Sequence, residues 1–200
     1  MDQILDEYFN EHKQQALKKL EKAVLEKQVD SRILPILHLI NINSDYFTTS
    51  SCAGRIIVLQ LPEIGNKKQA VFLGRWHRPV CEDEVVSVLR LYDDGQIWLL
   101  AQPPIFHIGC KTLDAANLLM KTGIISGFKQ SGIRSISGQI IVELQSTERM
   151  DIPLGYNGKQ IIPNELINFF IETANRAIIR AQKKLDQLEE NIKKIDDKTK

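Results

Sequence analysis

Apolar side chains recur every three or four residues near both ends of the chain, a spacing that is typical of amphipathic helices. The N-terminal pattern predicts a helix within residues 1–28. The C-terminal pattern is stricter and predicts a helix over residues 164–196, which starts directly after Pro163. Its apolar stripe consists of Ile171, Ala174, Ile178, Ala181, Leu185, Leu188, Ile192 and Ile195.

This narrow C-terminal stripe allows two interpretations. Alternating steps of three and four residues, with small alanines in the first half, are typical of a helix that pairs with another helix. The second helix would be the N-terminal one or that of a second copy of the protein, which would make a homodimer. In the other interpretation, both helices simply cover a sheet.

Strand-like segments rich in Ile and Val occupy the mixed core between the helices, residues 30–163. The expected strands are Arg55–Leu61, Gln69–Trp76, Gln96–Gln102, Ile105–Lys111, Ile133–Ser137, Gln139–Gln145 and Met150–Leu154. The expected helices within this core are Glu82–Tyr92 and Thr112–Ile125. Strand–strand–helix blocks without regular βαβ alternation predict an α+β fold with antiparallel or mixed sheets, flanked by the long helices. We expect a single domain over residues 1–200 that is not of the Rossmann type, because no GxGxxG motif is present.

Composition and charge exclude several classes of protein. The 200 residues are 43% hydrophobic and 26% charged, with a net charge of +1, so any anionic partner must bind to local basic patches. No apolar run reaches the ~18 residues of a membrane helix, and the N-terminus lacks the pattern of a signal peptide. Three cysteines without a CxxC pair do not suit a disulfide framework. We therefore expect a soluble cytoplasmic protein.

The densest group of polar residues is the run Tyr46–Arg55. Four consecutive hydroxyl side chains, including Ser50 and Ser51, precede Cys52, Gly54 and Arg55. We interpret the run as a loop before a strand, in which amides, hydroxyls and the arginine could bind an anionic group. A plain connecting loop is the alternative.

Histidines and cysteines follow two of the predicted strands. Trp76 and His77 end one strand, and His107 and Cys110 belong to another. A metal site formed by Cys52, His77, His107 and Cys110 is an alternative, but the spacing fits no established pattern, and we expect no metal. Each histidine could instead be structural or catalytic.

A third group lies after the helix Thr112–Ile125. Phe128, Ser131 and Gly132 belong to a Gly/Ser loop, and the segment 120–142 has basic residues but no acidic one. We expect Phe128 to be exposed and the loop to suit a phosphate or a ring-bearing ligand. A simple surface turn is the alternative.

Taken together, these groups resemble the methyltransferases of wyosine and wybutosine synthesis. The similarity rests on the run Tyr46–Ile56, on Trp76 and His77, and on His107 with Cys110. It continues through Asp114–Ala115, Ser126–Phe128, Ser131–Ile133, Ser146–Thr147 and Asp151–Leu154. This ordered series of motifs spans most of the chain and is highly specific.

The resemblance implies S-adenosylmethionine-dependent methylation of the N4 ring nitrogen of 7-aminocarboxypropyl-demethylwyosine, the base at position 37 in the anticodon loop of tRNA-Phe. Under this hypothesis His77 or His107 is the base and Arg55 binds a carboxylate or phosphate. The remaining expected cofactor- and substrate-binding residues are Ser50, Ser51, Cys52, Gly54, Trp76, Cys110, Phe128, Ser131, Gly132, Ser146 and Thr147. Trp76 or Phe128 would hold the unstacked base.

The sequence departs from the family pattern at Gln145 and at Glu148–Arg149. These departures motivate an alternative from another class, a tRNA-binding module that has lost catalysis. A protein that assembles through its C-terminal stripe is compatible with either function.

Overall fold

The chain forms two compact units in the computed structural model, which describes residues 2–65 and 67–198. The first unit comprises residues 1–53, 104–147 and 183–200, and the second comprises 54–103 and 148–182. Each unit has its own sheet and its own apolar core. The expectation of a single domain stays a prediction.

The first unit is built around a four-stranded antiparallel sheet in the order β1-β5-β7-β6. Its strands are β1 (Tyr46–Cys52), β5 (Ile105–Cys110), β6 (Gly132–Ser135) and β7 (Ile140–Gln145). Its helices are α1 (Asp2–Leu25), α2 (Leu34–Ile42) and α4 (Leu113–Ile125), with a 3-10 turn at Ser31–Ile33. The predicted strands Ile133–Ser137 and Gln139–Gln145 correspond to β6 and β7, which pair antiparallel with each other.

Strand β1 corrects the interpretation of the hydroxyl run as a loop. Residues Tyr46–Cys52 pair antiparallel with β5, so the serines and threonines lie in an edge strand. The side chains of an edge strand border solvent, and threonine favours strands, so a polar segment is stable here without the apolar alternation on which a strand prediction depends.

The second unit is built around a five-stranded antiparallel sheet in the order β3-β2-β4-β8-β9. Its strands are β2 (Arg55–Leu61), β3 (Val71–Trp76), β4 (Gln96–Gln102), β8 (Met150–Tyr156) and β9 (Lys159–Gln160). Its helix α3 (Glu82–Leu89) starts with a capping box, in which the Glu84 carboxylate accepts a 3.0 Å hydrogen bond from the Cys81 amide. A 3-10 turn spans Lys67–Gln69.

The C-terminal helix α5 (Asn164–Lys198) contributes to the core of each unit. Ile171, Ala174 and Ile178 are buried in the core of the second unit. Leu185, Leu188, Ile192 and Ile195 are buried in the core of the first. The chain's own cores therefore bury this stripe, as in the sheet-covering interpretation. The possible homodimer stays a prediction.

None of the helices in the described part of the chain has the length and apolar character needed to cross a membrane.

Candidate active site

A row of polar side chains crosses the first sheet from one strand to the next. Ser50 Oγ on β1 lies 3.0 Å from His107 Nδ1 on β5. His107 Nε2 lies 2.9 Å from Glu143 Oε2 on β7, and Arg134 on β6 donates a hydrogen bond to the other carboxylate oxygen. The row therefore connects a hydroxyl, an imidazole, a carboxylate and a guanidinium.

The strand register explains how residues so distant in sequence meet. Ser50 is the cross-strand partner of His107, and His107 is the partner of Glu143. Side chains that face each other on one side of a sheet are within hydrogen-bonding reach. Phe106 and Ile108, the neighbours of His107, point to the opposite face and lie in the core.

Glu143 is the buried member of the row, with 5% of its surface exposed. Burial alone would raise the pKa of this carboxyl, but hydrogen bonds from Arg134 and His107 outweigh it and hold the pKa of Glu143 below its ordinary value. The carboxylate is thus charged at neutral pH and fixes one nitrogen of the imidazole. Since a carboxylate only accepts hydrogen bonds, His107 Nε2 donates to Glu143, and Nδ1 faces the Ser50 hydroxyl.

A β-bulge at Thr49 sets which serine joins this row. The register with β5 shifts between Thr48 and Ser50, so that Thr48 pairs with Ile108 and Ser50 with His107. Thr49 uses its hydroxyl to donate a 3.1 Å hydrogen bond to the carbonyl oxygen of His107. This contact fastens the bulge to the strand that holds the histidine.

The same hydroxyl run borders a groove of about 230 Å³ beside α1. Thr48, Thr49, Ser50 and Ser51 form its polar side, and Lys19 of α1 is among the residues that line it. The Ser51 Oγ is buried and has no hydrogen-bond partner in the structure. An unsatisfied hydroxyl and a nearby ammonium fit a ligand with a carboxylate group.

Arg55 starts β2 in the second unit. Its Nε donates a 3.0 Å hydrogen bond to Gln102 Oε1 on β4, and its guanidinium carbon lies 5.9 Å from the centre of the Phe72 ring. Gly54, directly before it, adopts a φ of +86° that favours glycine. The arginine is therefore held in a defined position by a strand partner and an aromatic face.

Trp76 and His77 also lie in the second unit. Trp76 is partly buried against the core, and its ring covers Gly74, where a Cβ would be 2.1 Å from the indole. His77 is exposed, and its Nδ1 donates a 3.1 Å hydrogen bond to the carbonyl oxygen of Gly54. His77 is thus tied to the Gly54–Arg55 segment rather than to the polar row.

The third group does not have the exposure that the sequence predicted. Phe128 is 0% exposed and packs against Phe106 in the core of the first unit, so the expectation that it is available to stack on a base is wrong. The Ser131 hydroxyl donates to the carbonyl oxygen of Phe128 at 2.5 Å, and Gly132 starts β6. The buried Phe128 ring thus follows the turn that ends α4. In sequence, such a turn looks the same as an exposed Gly/Ser loop.

The remaining predicted site residues occupy varied environments. Ser146 is fully buried with no partner for its hydroxyl, and Thr147 is exposed and accepts a 3.0 Å hydrogen bond from Lys184. Cys52 is partly exposed at the end of β1. Burial raises the pKa of the Cys110 thiol to about 12, so it stays protonated and faces the core.

The alternative of a metal site with His107 and Cys110 is wrong. The two residues are three positions apart on one strand, so their side chains point to opposite faces of the sheet. Within residues 2–65 and 67–198, no group of three His, Cys, Asp or Glu side chains is arranged to hold a metal ion.

Glu143 is the site residue that sequence reasoning missed. It lies between Val142 and Leu144, both buried in the core, in a strand that otherwise reads as apolar. The sequence does contain one sign of this residue, which is a single carboxylate within an otherwise apolar strand. A buried charge requires partners, so such a carboxylate indicates a polar contact.

The fold and the polar row define an α+β protein with two antiparallel sheets and an oriented histidine, distinct from Rossmann-type nucleotide-binding proteins. The family model described as Methyltransferase TYW3 matches residues 11–194. The chain belongs to this family, as the motif series predicted.

Named relatives and solved structures match nearly the whole chain. It is 45% identical over 187 residues to a protein of Pyrococcus furiosus named tRNA(Phe) 7-((3-amino-3-carboxypropyl)-4-demethylwyosine(37)-N(4))-methyltransferase 1, covering 93% of this chain and 95% of the relative. A Pyrococcus horikoshii protein with the same name but numbered 2 is 39% identical, with 92% and 89% covered. The solved structure of the PH1069 protein from Pyrococcus horikoshii superposes with a TM-score of 0.91 at 44% identity, covering 96% of this chain and 98% of that one. These matches confirm the expected α+β, non-Rossmann fold.

Proposed function

We propose that this protein transfers a methyl group from S-adenosylmethionine to the N4 ring nitrogen of 7-aminocarboxypropyl-demethylwyosine in tRNA-Phe. Relatives at 43–45% identity are named for this reaction, and the chain covers 95–98% of their length. Within the molecule, the observation that carries the proposal is the Ser50–His107–Glu143 chain of hydrogen bonds.

The reaction requires a route for one proton. A bond forms between N4 and the methyl carbon as the bond from sulfur to that carbon breaks, and the proton on N4 must leave. Ser50 is exposed at the end of the row and His107 Nδ1 accepts from its hydroxyl. The serine can therefore take the N4 proton as it passes its own proton to the imidazole, and Glu143 stabilises the resulting imidazolium.

S-adenosylmethionine supplies a methyl group on a positively charged sulfur when it is bound. The groove beside α1 fits the amino-acid end of that molecule, because the Ser51 hydroxyl there is unsatisfied and Lys19 provides a positive charge. Ser51 and Lys19 would bind and orient the carboxylate. Methyl transfer depends strongly on such positioning, since donor and acceptor must meet at a near-attack distance.

Arg55 is the residue we assign to the RNA. Its guanidinium is fixed by Gln102 and Phe72, and a fixed guanidinium suits a phosphate of the anticodon loop. The observed positions favour His107 over His77 as the base, because His107 is oriented by a carboxylate, whereas His77 donates to a backbone carbonyl.

The test is a methyl-transfer assay with labelled S-adenosylmethionine and tRNA-Phe from cells blocked just before this step. Nucleoside mass spectrometry locates the added methyl group. We expect one methyl on the tricyclic base, with kcat lowered about 100-fold or more in Ser50→Ala and His107→Gln. Matched controls are Ser44→Ala and His38→Ala, which alter exposed residues of the same unit and should leave kcat unchanged.

Two outcomes would overturn the proposed reaction, and a third would overturn the proposed proton route. Transfer to another nucleoside would exclude this substrate. Absence of transfer while the tRNA still binds would favour the binding module that the changes at Gln145 and Glu148–Arg149 suggested. If Ser50→Ala and Ser44→Ala had equal activity, the Ser50 hydroxyl would not be part of the proton route.

A further inference from the structure

The sheet of the second unit has one face that does not pack against its core. Ile56 and Val58 of β2 point into the core, so the alternate residues Ile57 and Leu59 point to the other side. On that side lies a groove of about 400 Å³, entirely within the second unit. We call it the aromatic groove; Ile57, Leu59 and Leu100 form its apolar floor, and Phe72, Trp98 and Gln102 also line it.

Two aromatic rings on different strands border the floor. Phe72 is on β3 and Trp98 on β4, one on each side of β2. Phe72, the second residue of β3, is 51% exposed, so its ring is open to solvent. Exposed aromatic rings on a sheet surface are a common platform for unstacked bases of single-stranded RNA.

The charges on this face suit an anionic polymer. The strand register places Arg55 and Arg75 on the same side as the floor, and Arg149 lines the groove. Among the described residues that line the groove, Asp151 is the only acidic one. Asp151 is paired with Arg149 at 2.7 Å, so the face is positive overall. Proteins that bind single-stranded nucleic acids combine such basic residues, which contact the phosphates, with aromatic rings on which the bases stack.

The groove is also continuous with the segment already assigned to RNA. Gln102 lines the groove and accepts the hydrogen bond of Arg55, whose guanidinium lies over Phe72. A phosphate held by Arg55 would therefore place a neighbouring base near the Phe72 ring.

We propose that the aromatic groove binds an unstacked base of the anticodon loop of the RNA substrate, with Phe72 and Trp98 as the stacking surfaces. This inference rests on the proposed function for the identity of the RNA, but it concerns binding and not methyl transfer. It assigns a second contact to the substrate, separate from the Ser50–His107 row.

The binding test uses a fluorescein-labelled anticodon stem-loop of tRNA-Phe without the modified base, and no methyl donor. By anisotropy, Phe72→Leu should weaken binding about ten-fold, because it keeps apolar bulk but removes the ring. Phe72→Tyr keeps the ring and should bind like the unaltered protein. Phe169→Leu is the matched control, since Phe169 is a 55% exposed phenylalanine on α5 of the same unit.

A second measurement reports on the groove itself. The chain has two tryptophans, so in Trp76→Phe the fluorescence comes from Trp98 alone. We expect the unlabelled stem-loop to quench this fluorescence, and Phe72→Leu in the same background to shift the quenching to higher RNA concentrations.

Several outcomes would overturn the inference. Equal binding by Phe72→Leu and Phe169→Leu would exclude stacking on Phe72. Quenching of Trp98 by S-adenosylmethionine alone, with none by RNA, would assign the groove to the methyl donor. The proposed function fails independently, if the unaltered protein binds the stem-loop but transfers no methyl group to the tRNA.

Discussion

His107 and Glu143 join the two central strands of the first sheet through a 2.9 Å contact between Nε2 and Oε2. The carboxylate is buried, whereas the imidazole is 30% exposed. The imidazole of His107 is therefore accessible from solvent, while the Glu143 carboxylate that orients it is shielded from water. Such an arrangement is typical of a base whose tautomer is fixed by a positioning carboxylate.

Replacing Glu143 with glutamine should lower kcat about 100-fold, with a smaller effect on KM for the tRNA. The amide preserves the shape but loses the charge that stabilises the imidazolium and fixes the ring tautomer. The measurement is the rate of label transfer from S-adenosylmethionine at saturating tRNA. Glu172→Gln on the exposed surface of α5 is the control, and equal rates for the two variants would contradict the role of Glu143.

Glu143 also predicts a pH dependence of stability. Its pKa lies below the ordinary value of 4.5, so its ionised form favours the folded state. The contribution is fully present above the ordinary pKa and is lost as the pH falls through the folded-state pKa. Urea titrations at a series of pH values should show the difference in unfolding free energy between the natural protein and Glu143→Gln shrinking as the pH falls below 4.5. A difference that grows with acidification would show that the pKa is raised instead.

Cys81 and Cys110 should differ in reactivity. Cys81 is exposed, and Cys110 is buried with a pKa of about 12, so its thiolate is scarce at neutral pH. Iodoacetamide at pH 8 should modify Cys81 rapidly and Cys110 only after urea unfolds the protein. Peptide mass spectrometry distinguishes the sites, and prompt alkylation of Cys110 in the folded protein would contradict its burial.

Asn175 should be important for the stability of the second unit. Its side chain accepts a hydrogen bond from the amide of Val80 and donates one to the Val80 carbonyl, both at 2.8 Å. Asn175→Ala leaves both backbone groups without these partners and should reduce the free energy of unfolding by about 1–3 kcal/mol. Thr173→Ala, which removes a hydroxyl bonded within α5, is the control for loss of a polar side chain. If Asn175→Ala and the unaltered protein had equal unfolding midpoints in urea, water would be replacing the hydrogen bonds of the asparagine side chain.

Runs rich in Ile and Val, together with apolar residues at helical spacing, allowed much of the fold to be predicted. The bounds of β2 and β4 agree with the prediction, and α5 starts at Asn164 as expected. The apolar runs of β2 and β4 correspond to strands with buried residues on both faces, such as Ile56 and Ile57 of β2, whereas the periodicity of α5 corresponds to its buried stripe. The edge strand β1 has no apolar pattern from which it could be predicted. Its strand partner and its hydroxyl contacts come from residues far away in sequence.

The roles of the expected site residues stay predictions, but the structure shows how these residues are arranged. Ser50 and His107 were both expected, and the structure brings them to hydrogen-bonding distance. Phe128 was misjudged, because glycine and serine next to an aromatic residue are equally typical of an exposed loop and of a turn sealed by a buried ring. Glu143 became visible only once the register of β7 with β5 was known.

The bulge at Thr49 shifts the phase of side-chain alternation along β1 by one residue. In a regular strand Thr49 would oppose His107, and Ser50 would point to the face occupied by Phe106. Because adjacent residues of a strand face opposite sides, Ser50 lies beside the imidazole and Ser51 on the other side. Deleting Thr49 would remove the bulge yet leave Ser50 opposite His107 and Ser51 opposite Phe106, so the bulge allows β1 to hold an additional threonine without moving either serine hydroxyl.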